Sequence, residues 1–103
     1  MTYLKIDEVI KKIMVLHNLS FKETQEKVFI NHIEMFYNRL LNNENVGIEL
    51  TETLKKQISL SVWVRAEKFI NDFLKVMNQN LGNKILEVPE IELFLVATHL
   101  LLL

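Results

Sequence analysis

The chain has no cysteine, which excludes a disulfide framework, thiolate zinc sites and thiol catalysis. Glycine occurs twice and proline once in 103 residues, so little of the chain is suited to tight turns and long helices are expected. With only Gly47 and Gly82, there is no glycine-rich loop to cradle a phosphate. Excess charge is also missing. The net charge is −1 from 12 basic and 13 acidic residues, and each half of the chain is balanced on its own. Without a basic stripe, the phosphate backbone of DNA or RNA has no counterpart, and direct nucleic-acid binding is not expected. The longest apolar run, Leu93 to Leu103, is broken by Thr98 and His99 and is too short to span a bilayer. The opening MTYLKIDEVI carries acidic residues within its first ten, unlike a signal peptide. No membrane insertion and a cytoplasmic location are therefore expected.

Half of the residues are apolar and 24% are charged, the composition of one globular domain spanning residues 1–103. A first helix is expected from about Thr2 to Leu16, with Leu4, Ile6, Val9, Ile10, Ile13 and Met14 on one side. Asn18 is placed to end it. Ser20 and Glu23 have the spacing of a capping box opening a second helix, which continues to about Asn42. Its core stripe is Phe29, Ile33, Phe36, Tyr37 and Leu40. Residues 42–47 form the clearest loop, and Thr51 caps a short helix over Glu52 to Gln57 or one merging into the next.

A long helix is expected from Ser59 to Leu81, burying Val62, Ala66, Phe69, Ile70, Phe73 and Met77 with Trp63 beside them. Gly82 suits its C-terminus. Asn83 to Val88 is a connector, and Pro89 suits the first turn of a last helix whose Glu90 and Glu92 complement its dipole. No strand pattern exists. The fold expected is all-α, a compact bundle of four to five helices.

Two histidines each stand seven positions from a side chain of complementary chemistry: His32 from Arg39, and His99 from Glu92. Seven residues bring both members to one helix face, roughly 20° apart. His32 falls at the edge of the second helix's core stripe, together with Arg39, Val28 and Met35. That edge is either a contact surface or the border of a core covered by the first helix. The last helix is apolar on nearly every side, and Glu92 and His99 supply most of its polar content after the first turn. Such a helix is central in the bundle or partly buried against another subunit. His99 is then either a core histidine satisfied by Glu92 or a backbone carbonyl, or a titrating group. His17 has no partner at helical spacing and reads as structural at a helix C-terminus.

Other chemistry is not indicated. No His-x-x-x-His or Glu-x-x-His places two metal ligands on one turn, and no Gly-x-Ser-x-Gly surrounds a serine. Neither an enzyme, a cofactor nor a metal site is expected.

Asn31-His32-Ile33 followed by Arg39-Leu40 resembles the first histidine motif of PTS-regulation domains. Glu92 to Leu100, with a glutamate seven residues before His99, resembles the second. The order of the two motifs, the interval between the histidines, the loop after Asn42 and the long helix to Leu81 all agree with that family's layout, over essentially the whole chain. The resemblance implies a helical domain that dimerises and receives phosphate on histidine from the bacterial sugar phosphotransferase system. The phosphodonor would be its phosphocarrier protein or a permease component. It implies that His32 and His99 are phosphoacceptors supported by Asn31, Arg39 and Glu92, and that phosphorylation switches an antiterminator or transcription activator. Asn31 stands where the family carries aspartate. With one such domain in the chain, a stand-alone member acting through a separate regulatory partner is expected. The alternative is a helical dimerisation module whose histidines serve packing alone. A weaker third class is a small-ligand or metal binder using the histidines across a dimer.

Overall fold

A computed structural model describes residues 5–82 and 87–101. Among them the chain forms five helices and no strand: α1 (Ile6–Leu16), α2 (Glu23–Asn42), α3 (Glu52–Lys55), α4 (Leu60–Leu81) and α5 (Glu90–Leu100). The expected stretch Thr2 to Leu4, most of the connector after Asn83, and the last two leucines lie outside the described residues. The helical class and the number of helices are as the periodicity indicates.

Helix α1 begins later than Thr2, because Lys5 is extended and caps it, and Val9, Ile10, Ile13 and Met14 are buried. Its end is a Schellman closure. Asn18 adopts φ 55°, its N–H bonds the Val15 carbonyl, and the Leu19 N–H bonds the Met14 carbonyl at 2.9 Å. Leu19 is thereby turned into the core.

The capping box expected at Ser20 and Glu23 does not form. Lys22 precedes α2 in extended conformation with no side-chain cap, and Ser20 is exposed. The reason is tertiary. The chain stays extended after Asn18, with Leu19 buried and Phe21 stacked on Phe29 at 4.9 Å between ring centroids. Burying two apolar side chains outweighs one cap, which is worth about 1 kcal/mol. Helix α2 ends as α1 does, with Asn43 at φ 56° and the Glu44 N–H on the Arg39 carbonyl.

Thr51 and Ser59 cap α3 and α4, their hydroxyls accepting from the N–H groups of Leu54 and Val62. Helix α3 stops at Lys55 rather than Gln57. Gly82, at φ 70°, ends α4 in the left-handed conformation that suits glycine. Leu74 joins the expected stripe of α4, and Val62 is only half-buried. Pro89 is the residue before α5, not within its first turn, and its carbonyl accepts from the Glu92 N–H at 3.0 Å.

Helices α1 and α5 each pack against both α2 and α4, giving a four-cornered bundle. Aromatic side chains close the α2–α4 diagonal, Phe29 edge-on to Phe69 at 5.3 Å and Tyr37 edge-on to Phe73 at 5.7 Å. Helix α3 braces one side. Lys55 reaches Glu90 of α5 at 2.6 Å, and its carbonyl accepts from the Trp63 indole of α4. Truncating the fully buried Phe73 to alanine removes the diagonal contact and leaves a cavity; Phe73→Ala is expected to cost about 3–5 kcal/mol in urea unfolding.

Candidate functional site

Helix α5 presents Glu92 and His99 to α2. Glu92 is only 2% exposed, in the first turn of an otherwise apolar helix. A carboxylate so buried needs a cation with matching geometry. Arg39, in the last turn of α2, supplies it: Nε donates to Oε2 at 2.8 Å and Nη2 to Oε1 at 2.7 Å. This is the bidentate fork that suits arginine and not lysine. The carboxylate holds the guanidinium's pKa above its ordinary value.

Two turns away from that pair, His32 Nδ1 and His99 Nε2 lie 2.6 Å apart, with ring centroids at 4.6 Å and planes inclined by 73°. Seven-residue spacing puts each histidine on the face of its own helix partner, as expected, but the bonds run between helices. Arg39 takes Glu92 and His32 takes His99. His99 is thus satisfied by neither Glu92 nor a backbone carbonyl, the two partners that its helix alone suggests. The order fits two antiparallel helices: stepping seven back from Arg39 and seven on from Glu92 arrives at the two histidines.

Both imidazoles are half-buried and titrate below the ordinary histidine value. His32 is lowered to about 4, first by burial, then by His99 and Arg39, with Glu92 opposing. For His99 the cause is burial. The rings are therefore neutral near pH 7. One N–H is shared between them, and His32 Nε2 and His99 Nδ1 stay outside that bond.

An open groove of about 310 Å³ runs over the pair, walled by Met35, Arg39, Val46 and Leu95. Val28 and Met35 on its rim are about half exposed, so the edge of α2 is not covered by α1. Asn31, also at the groove, is exposed and directs its amide to Met35 rather than to His32. On the other side of Arg39 lies a cavity of about 480 Å³ bordered by Glu44 and Glu87.

His17 has a partner that its own helix could not reveal. Its Nε2 meets Asp72 Oδ2 of α4 at 2.7 Å. The His17 ring is also edge-on to Phe69, the first contact of an aromatic chain running through Phe29 to His99 and His32. Among the described residues, no group of three or more His, Cys, Asp or Glu side chains is placed to hold a metal ion. No described helix is long and apolar enough to cross a membrane. No family model matches the chain, and neither a curated protein nor a solved structure matches it.

Two outcomes follow from the geometry. Glu92→Gln leaves the Arg39 charge half-buried without its counterion and is expected to cost about 3 kcal/mol, while the double change Arg39→Met with Glu92→Leu recovers most of the loss in the same unfolding assay. Acid should also destabilise the protein through His32. The unfolded chain binds that proton near pH 6.5 and the folded chain only near pH 4, so stability present above 6.5 drains away as pH falls and is fully lost near 4. Allowing for the ring's partial exposure, the loss is about 1–2 kcal/mol, and His32→Asn should flatten the profile measured by urea titration.

Proposed function

We propose that the protein is a phosphorylation-responsive regulatory domain of the bacterial sugar phosphotransferase system, akin to PTS-regulation domains. It receives phosphate on His32 or His99 and signals as a homodimer through a separate partner in transcriptional regulation. The observation that carries this reading is the meeting of two histidines 67 residues apart at 2.6 Å, beside Arg39 and under an open groove. Neutral imidazoles are the reactive form toward a phosphohistidine donor, and burial keeps both rings neutral. The added charge, near −2, has a cation in Arg39 at the same groove. Half-exposed Val28 and Met35 offer an apolar rim to a second subunit or a donor protein.

A second reading, a helical interaction module with packing histidines, draws on the same bond. The rings satisfy each other, and Asn31 offers no carboxylate to His32. Phosphoenolpyruvate with the phosphotransferase enzyme and its phosphocarrier protein separates the two. The first reading expects acid-labile label on the wild-type chain and none at these positions when His32 and His99 are both alanine. Absence of label from this donor and from permease components would defeat it. The packing reading expects the alanine variants to change stability or dimerisation and no regulated output.

A further inference from the structure

The hydrogen bond between the two rings ties their reactivities together. In neutral imidazole one nitrogen carries the proton and the other the lone pair. The contact joins His32 Nδ1 to His99 Nε2, so the shared proton sits on one of these two inner nitrogens. If His32 Nδ1 is the donor, His32 Nε2 holds a lone pair and His99 must keep its own proton on Nδ1. If His99 Nε2 is the donor, the assignment reverses: His99 Nδ1 holds the lone pair and His32 Nε2 is protonated. Each tautomeric state of the pair has one outward nucleophile.

From this geometry we infer that the His32–His99 pair accepts a single phosphoryl group, with phosphate on either ring disabling the other. The inference rests on the receiver reading above and adds its stoichiometry.

The outward lone pair of one ring attacks the donor's phosphorus, and the donor's bond to phosphorus breaks with its electron pair staying on the leaving nitrogen. The phosphorylated ring becomes cationic while its inner nitrogen keeps the shared proton. That proton remains in the bond or crosses to the partner's inner nitrogen. While the pair keeps both protons the partner has no outward lone pair; if the partner's outer proton leaves to water as the shared proton crosses over, its outer nitrogen regains one. A second transfer therefore needs the pair to lose a proton first, and it then meets the charge of the phosphate already in place. Charge acts in the same direction. Arg39 commits Nε and Nη2 to Glu92, so little of this guanidinium is left to neutralise a second dianion in the same groove.

Phosphoramidate is a suitable probe, since this small phosphodonor needs no docking surface and releases ammonia. The native full chain is labelled to saturation, and fragmentation of the intact chain reads phosphate on His32 and His99 separately. Chains labelled at one or the other are expected. Chains labelled at both should be at least about tenfold rarer than the product of the single occupancies, as for groups coupled by a pK unit or more. The same treatment in urea should restore the statistical proportion, because the contact exists only in the folded chain. Statistical double labelling of the native chain overturns the one-phosphate inference and leaves the receiver reading intact. A native chain labelled at neither histidine, while the unfolded chain is labelled at both, overturns the two together.

Discussion

The Arg39–Glu92 pair is the constraint on which the rest of the site depends. A carboxylate with 2% exposure in the first turn of α5 is tolerable only when its charge and its lone pairs are both met. Arg39 meets both with two parallel bonds, and such a fork fixes distance and rotation together. Helix α5 is otherwise mostly apolar, packed on α4 and braced through Glu90 by Lys55 of α3. The ion pair fixes it against α2. Once it is made, the antiparallel course of the two helices carries His99 to His32, because each histidine stands seven residues from its own ionic neighbour. The structure thus has a ladder of two rungs, one charged and one neutral.

The helices were legible in the sequence because their signals are local. Apolar spacing located the buried stripes of α2 and α4, Thr51 and Ser59 marked helix starts, and Gly82 marked an end. Local chemistry failed where distant burial competed with it. Ser20 and Glu23 have the spacing of a cap, yet Leu19 and Phe21 draw the chain into an extended path toward the core. The site was legible in part. Spacing placed His32 with Arg39 and His99 with Glu92 on common faces, and those faces do meet. What periodicity along one helix cannot supply is the partner on another helix. The crossing of the four residues, and the pairing of His17 with Asp72, depend on how helices are arranged in space.

The two histidine contacts differ in the kind of group they involve. At His17 the partner is a partly exposed carboxylate, whereas at His32 it is another imidazole whose charged form burial disfavours. Between them run Phe69 and Phe29, edge to face, so the three imidazoles and two phenyl rings form one continuous packed row through the bundle. A row of this kind is rigid, since each ring's orientation is set by the next. Its exposed end is the groove beside Met35 and Leu95, where a displaced imidazole has room to move.

The order of these elements along the chain has a consequence for biosynthesis. Helix α2 supplies Arg39 and His32 early, and α5 supplies Glu92 and His99 only after α3 and α4. A nascent chain on the ribosome therefore carries half of each rung, with Arg39 unpaired and His32 solvated. Domains fold as units once their elements have emerged. The double rung cannot close before α5 has emerged, so an incomplete polypeptide presents no assembled histidine pair.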